Sequence, residues 1–234
     1  MMNCDPIARL YRWIEYAAFG PVLERTRLHW LGDLNGAQRV LLLGDGDGRF
    51  LSRFASTYPA AEVHYIDSSA RMLDLARRRV RRAERAGSDR VIFTQGNALR
   101  TALPGQDYDL VVSHFFLDCF DESELSRLAA HIGPRLAPNV RWVVSDFREP
   151  RHGPMAPVFQ LYLRLMFLFF HYTSGLETRR LADYSAFLKR LGLVRNRKAT
   201  NLGGFVFSEI WSRSPERKWG LCDAPNESGR QQDN

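Results

Sequence analysis

Gly44-Asp45-Gly46-Asp47-Gly48 places three glycines and two carboxylates in one short stretch. Glycines let a backbone turn sharply and approach a ligand closely, so this stretch can cradle a small molecule while its carboxylates supply negative charge. Asp67 follows about 20 residues later, the spacing from which a carboxylate accepts both hydroxyl protons of a ribose. A third cluster, Ser113-His114-Phe115-Phe116-Leu117-Asp118-Cys119-Phe120, joins an imidazole and a carboxylate to aromatic surface. His114 can titrate near neutrality and is the first candidate for proton transfer, with a structural histidine as the equal alternative. Asp118 could orient a substrate or cap the following turn, and capping is the stronger reading. Arg148, just past Asp146 and Phe147, is placed equally well for an anionic substrate group or for a salt bridge.

Elements must hold these residues, and the chain alternates β-rich runs with helical periodicity, which is the βαβ pattern. Strands are predicted over 39–43, 62–67, 90–95, 108–113, 140–146, 193–200 and 205–211. Phe50, Leu51, Phe54 and Tyr58 recur at helical spacing after the glycine stretch. Ser68 or Ser69 can cap the next helix, whose buried stripe is Met72, Ala76, Val80 and Ala83. Asp121 and Glu124 form a capping-box pattern ahead of Leu125, Leu128, Ala129, Ile132 and Leu136. Asp183 can cap a helix bearing Tyr184, Phe187, Leu188 and Leu191, which Gly192 closes. Parallel neighbours need long crossovers, whereas the short link at Gly203-Gly204 implies a hairpin. The expected architecture is therefore α/β, a Rossmann-like doubly wound sheet of seven strands. It is mostly parallel with an antiparallel last strand, and has helices on both faces.

A chain of 234 residues, 45% hydrophobic and 25% charged, can bury one full core. One domain is expected over 1–213. It comprises a leading helical segment (1–37, helical over 6–31 with a break at Gly20-Pro21), a core (38–150), a helical insertion (151–180) and closing elements (181–213). Residues 214–234, rich in Pro, Asn, Gln and Ser, read as a disordered tail. The formal charge of +7 rests on 33 basic residues, of which only Lys189, Lys198 and Lys218 are lysines. They are spread along the chain, and the one dense run, Arg77 to Arg85, reads as a solvated helix face rather than a nucleic-acid surface. Cys4, Cys119 and Cys222 form no C-x-x-C pair, so neither a disulfide framework nor a metal site is expected. No secretory signal is read at the N-terminus, and a cytoplasmic location follows. The apolar stretch 158–172 is shorter than the roughly 20 residues a bilayer span takes. Gln160, Arg164 and His171 fall on one face of it, and the apolar remainder wants cover. Packing on the sheet, a contact between copies, or peripheral membrane contact through 157–172 would each provide it, and the oligomeric state stays open.

Val40-Leu41-Leu42-Leu43 leading into the glycine stretch, Asp67, Asn97-Ala98 and Asp109-Leu110-Val111-Val112-Ser113 resemble the successive motifs of class I S-adenosylmethionine-dependent methyltransferases, over roughly residues 38 to 147. The resemblance implies S-adenosylmethionine as cofactor. It also implies that Gly44, Gly46 and Gly48 line the methionine part, Asp67 holds the ribose, Asn97 faces the adenine amino group and Ala98 lies beside the ring. Ser68, Met72 and His114 complete the expected contacts. Two departures stand out. Leu42 occupies a place where the family carries an acid that helps fix the cofactor's ammonium, and Asp45 or Asp47 could supply that charge instead. Asn97 stands where Asp is commoner, though an amide oxygen accepts equally well.

Methyl transfer from a sulfonium needs in-line alignment, and effective molarities of roughly 10⁵ to 10⁸ M in oriented systems make a dedicated base optional. The Phe, Leu and Met of the insertion predict a small apolar or aromatic acceptor, such as an isoprenoid quinone or a lipid. Two other readings are a catalytically silent protein that binds the cofactor and a nucleic-acid methyltransferase. The second is disfavoured, because Ser113-His114-Phe115-Phe116 does not resemble the Asn/Asp-Pro-Pro-aromatic motif of base methylation. Nicotinamide dinucleotide binding is disfavoured by Arg49, which occupies the place of that fingerprint's third glycine.

Overall fold

The computed structural model describes residues 19–83, 90–148, 156–174 and 181–213. Its centre is one seven-stranded sheet in the order β3-β2-β1-β4-β5-β7-β6. The strands are β1 (Arg39–Leu43), β2 (Glu62–Asp67), β3 (Val91–Gln95), β4 (Tyr108–His114), β5 (Leu136–Phe147), β6 (Val194–Asn201) and β7 (Val206–Ser212). β1 to β5 pair in parallel, and β7 runs antiparallel to both neighbours. The antiparallel last strand expected from the Gly203-Gly204 link is present, and it is inserted between β5 and β6. β6 thereby becomes the outer edge, where Arg195, Arg197 and Lys198 discourage further pairing.

The helices are α1 (Val22–Leu28), α2 (Arg49–Thr57), α3 (Ala70–Ala83), α4 (Glu122–Ile132), α5 (Ala156–Ser174) and α6 (Tyr184–Arg190). Strands covered on both faces read as continuous apolar runs, and Val40, Leu41, Leu42 and Leu43 are all buried. Leu41 and Leu43 face one side, with Leu125, Leu128 and Ile132 of α4 and Phe187 and Leu188 of α6. Val40 and Leu42 face the other side, with Phe50, Leu51 and Phe54 of α2, Leu73, Ala76 and Val80 of α3, and Trp30 and Leu34.

Local signals act as the residue types dictate. Asp121 accepts from Glu124 N at 2.8 Å while Glu124 reaches back to Asp121 N, a complete capping box. Ser69, rather than Ser68, accepts from Met72 N at 3.1 Å and caps α3. Asp183 caps α6, and Gly192 follows that helix with φ 74°. β5 starts at Leu136, four residues earlier than its apolar run suggests. An irregularity between Tyr108 and Leu110 absorbs Pro138 and Asn139, which hide the strand in the sequence. The break at Gly20-Pro21 precedes α1, whereas residues 6–18 of the helical segment expected over 6–31, the tail from Ser214, and the ends of the 151–180 insertion lie outside the described residues.

The chain winds outward from β1 through β2 to β3, then returns to the other side of β1 for β4. The order reverses between β1 and β4, and in such sheets ligands bind beyond the carboxyl ends of the strands at that reversal.

Candidate active site

The glycine stretch leaves the carboxyl end of β1, and Gly44, Gly46 and Gly48 all have positive φ (61°, 61° and 76°), which costs glycine least. Close approach is required too. A Cβ on Gly48 would stand 2.6 Å from the Ala76 Cβ of α3, and one on Gly44 would collide with the Phe116 ring. The loop is thus pressed between α3 on one side and the β4 exit on the other.

Asp67 ends β2 and is joined to this loop. Tyr65 OH lies 2.7 Å from Gly46 O and 2.9 Å from Asp67 Oδ2, while Ser69 N donates to Asp67 Oδ1 at 2.9 Å. Burial, then the Asp67 charge, raises the Tyr65 phenol well above its usual range, so the hydroxyl keeps the proton it shares. Met72 is buried, with its sulfur 3.9 Å from the place of a Gly46 Cβ. Asn97 opens the turn after β3, its Oδ1 accepting from Leu99 N at 2.8 Å, and Ala98 is buried beside it. One lone pair of that amide oxygen remains for a ligand.

The two aspartates of the loop have different surroundings. Asp47 is paired by both oxygens, with Arg49 Nε at 3.1 Å and Arg79 at 2.6 Å, and so holds α2 and α3 to the loop. Asp45 accepts from Leu51 N through Oδ2 at 3.0 Å, while its Oδ1 is buried without a partner among the described residues. Burial raises this carboxyl to about 7, against the lowering effects of the Leu51 hydrogen bond and of Arg27. Of the two candidates for the charge missing at Leu42, only Asp45 keeps an oxygen in reserve.

His114 ends β4, buried, with Nδ1 2.9 Å from Ser145 Oγ and its ring edge-on to Phe50 at 4.7 Å. Its Nε2 has no partner among the described residues. Burial, then the nearby Arg27 cation, holds the imidazole well below its usual range and therefore neutral. Phe115 follows with φ 53°, unusual for a bulky residue, and Arg27 lies over its ring at 4.8 Å. That turn aims Phe115 at Phe147 and Phe116 at the glycine loop.

Asp118 lies in a single 3-10 turn, Leu117–Cys119, past β4, where Asp146 of β5 accepts from Asp118 N at 3.2 Å and the Cys119 thiol donates to Asp118 Oδ1 at 3.4 Å. Burial brings the Asp118 carboxyl up to about 6. Burial and then the Asp118 charge raise Asp146 well above the usual carboxylate range. These two acids, one in the turn past β4 and one near the end of the neighbouring β5, cannot both ionise cheaply. Arg148 is committed to the salt-bridge alternative, pairing with Glu209 at 3.1 Å and with Tyr184.

Past β5, α5 lies over an aromatic cluster. Phe159 stacks on Phe205 at 4.5 Å, Tyr162 meets Phe19 edge-on at 4.8 Å, and Leu163 is buried with Phe147 and Leu23. Arg27, Tyr65 and Asp146 are the site residues that motif reading passes over. Tyr65 carried a signal, because it lies two residues before Asp67 and so shares its face of the strand. Arg27 carried none, since only the packing of α1 brings it to Asp45 and His114.

A family model described as a methyltransferase domain matches residues 40–155, about half of the chain. Demethylmenaquinone methyltransferase of Deinococcus radiodurans is 30% identical over 129 residues, covering 54% of this chain and 50% of that protein. The chain spans half or less of the length of the curated relatives it matches. Among solved structures, an O-methyltransferase family protein from Burkholderia thailandensis superposes with a TM-score of 0.66 at 16% identity, covering 88% of this chain and 59% of that one. Magnesium protoporphyrin IX methyltransferase from Synechocystis PCC 6803 gives 0.56 at 20% identity, with 82% of both chains covered. At these identities the two structures establish the fold. With the domain match over the glycine loop, Asp67, Asn97 and the β4 exit, they lead to one conclusion: the chain belongs to the class I S-adenosylmethionine-dependent methyltransferases.

Proposed function

We propose that the protein transfers the methyl group of S-adenosylmethionine to a small apolar or aromatic acceptor. One observation carries this reading. Three left-handed glycines at the end of β1 are tied through Tyr65 to the Asp67 carboxylate at the end of β2, one strand away. The residues present fit the cofactor. Asp67 would take the ribose hydroxyls, Asn97 and Ala98 the adenine, and the glycine loop, with no side chain in the way, the methionine part. When bound, that group supplies an electrophilic methyl on a sulfonium.

The chain's own residues would align the acceptor and manage its proton. The partly buried Phe115, Phe159 and Tyr162, packed on the buried Phe147 and Phe205, would offer an apolar lining beyond β4 and β5, which suits an acceptor with little charge. For a hydroxyl acceptor, a base works best with a pKa near the working pH. Asp118, raised to about 6 beside Asp146, meets that condition better than His114, whose protonated form is opposed by burial and by Arg27. His114 then serves to position the acceptor or the cofactor through Nε2.

A second reading, a protein that holds the cofactor without turning it over, is favoured by Leu42, which leaves no acid at the end of β1. Incubation of the purified protein with methyl-labelled S-adenosylmethionine and fractionated cell extract separates the readings. Label in a small, solvent-extractable product, with S-adenosylhomocysteine released in step, is the expected result. Tight binding with no S-adenosylhomocysteine from any fraction would support the silent protein, and label in nucleic acid or protein would overturn the acceptor class.

A further inference from the structure

We propose that Asp45 is the receptor for the ammonium of the cofactor's methionine moiety, a role displaced by three residues from Leu42. The inference rests on the proposed use of S-adenosylmethionine and concerns which residue of this chain holds one end of it.

Three observations converge. First, a carboxylate oxygen buried without a partner costs free energy that folding alone does not return, and among the described residues Asp45 Oδ1 is such an atom, in a residue that is 6% exposed. Its sister oxygen and both oxygens of Asp47 are already used. Second, the position is right. Asp45 lies between the first two left-handed glycines, at the strand-order reversal where a ligand is expected. Leu42, buried and apolar, faces the same side as its β4 partner Val112, and His114 comes two residues after Val112 on that side. Asp45 accepts from Leu51 N of α2 and His114 packs against Phe50 of the same helix, so His114 Nε2 and Asp45 Oδ1, both without a partner among the described residues, lie on that one side of the sheet and within the field of Arg27.

Third, the charges suit a zwitterion. A bare cation drawn to Asp45 would also meet Arg27, whereas an amino acid's ammonium and carboxylate each meet an opposite charge. The groups that bear on Asp45 are Arg27 from α1, Arg49 from α2, Asp47 within the loop and Tyr65 from β2. Because the unliganded carboxyl is held at about 7 by burial, an arriving ammonium must displace a proton in neutral solution. Binding through this group accordingly strengthens as pH rises.

Calorimetry with two ligands tests this. S-adenosylhomocysteine carries the amino-acid end, and 5′-methylthioadenosine lacks it. Asp45→Asn, which keeps an acceptor for Leu51 N, is expected to weaken S-adenosylhomocysteine by about ten- to a hundredfold and to leave 5′-methylthioadenosine unchanged. Equal affinity of wild type and variant for S-adenosylhomocysteine overturns the inference and leaves the proposed function standing. Equal weakening of both ligands also overturns it, since Asp45 would then act through loop structure alone. A wild-type protein that binds neither ligand defeats the function itself. Should the variant not fold, the wild type decides. Its affinity for S-adenosylhomocysteine should rise about tenfold between about pH 6 and about pH 8 with 5′-methylthioadenosine flat, and a flat response to both rejects the role.

Discussion

Asp45 illustrates how one residue can be costly to the empty protein and useful to the loaded one. Its carboxyl titrates near 3.8 in the unfolded chain and near 7 when folded, so between those values the folded state holds a proton that the unfolded state has released. Stability from this group is then complete below about pH 4 and falls as pH rises towards about 7. Asp45→Asn removes the dependence. The unliganded variant should exceed wild type by about 2 kcal/mol at about pH 8, roughly 4–8 °C in Tm, with the gap closing towards about pH 4. Thermal unfolding across that range checks it, and superimposable curves would mean that Oδ1 finds a partner in the folded protein. Asp47 shows the contrast: the same residue type two positions away satisfies both oxygens with Arg49 and Arg79. Sequence reading could nominate both aspartates, but it could not choose, because the choice depends on which oxygens the folded loop leaves over.

At the scale of the element, α5 raises the question of what covers it. Phe159, Tyr162, Leu163 and Met166 turn towards the aromatic cluster, while Val158, Leu161, Leu165, Leu168 and Tyr172, spaced by three and four residues, stay more than half exposed. Arg164 flanks this stripe, and the helix sequence contains no acidic residue. Apolar side chains beside a cation and without an anion suit an anionic bilayer surface better than a second copy, which would bring like charge to the seam. Among the described residues no helix is long and apolar enough to cross a membrane, so contact through α5 would be peripheral. The protein is expected to sediment with vesicles containing anionic lipid. Leu161→Gln combined with Leu165→Gln should release most of it while shifting Tm by no more than about 2 °C, because exposed positions carry little stability. Recovery wholly in the supernatant would refute the contact, and a dimer by light scattering would assign the stripe to self-association. The helix and its need for cover were legible from apolar periodicity, but which apolar residues were left over depended on how α5 sits on β5 and β7.

At the scale of the molecule, inserting β7 between β5 and β6 brings distant segments around one buried acid. Glu209 of β7 is fully buried and accepts from Arg148 past β5 at 3.1 Å, Arg195 of β6 at 3.2 Å and Trp211 Nε1 at 3.0 Å, with Tyr184 of α6 also within reach. Breaking such a group by removing its centre strands several donors at once. Glu209→Leu should cost about 2–3 kcal/mol, below the range for a wholly buried pair because both arginines are partly exposed. Denaturant unfolding measures it, and a loss under about 0.5 kcal/mol would mean that the guanidiniums turn to water without penalty. Arg148 thereby clasps the closing strands together.

The α/β class, the run of parallel strands, the antiparallel last strand and the caps at Asp121 and Asp183 were determined by sequence alone. Periodicity, capping chemistry and link length act over a few residues and leave their mark in the order of residue types. The early start of β5, the place of β7, the pairing of Asp118 with Asp146, and the approach of Arg27 to Asp45 and His114 were decided only by tertiary structure. Each joins residues far apart in the chain, and a carboxylate's charge or an imidazole's neutrality depends on burial and neighbours that exist only after folding.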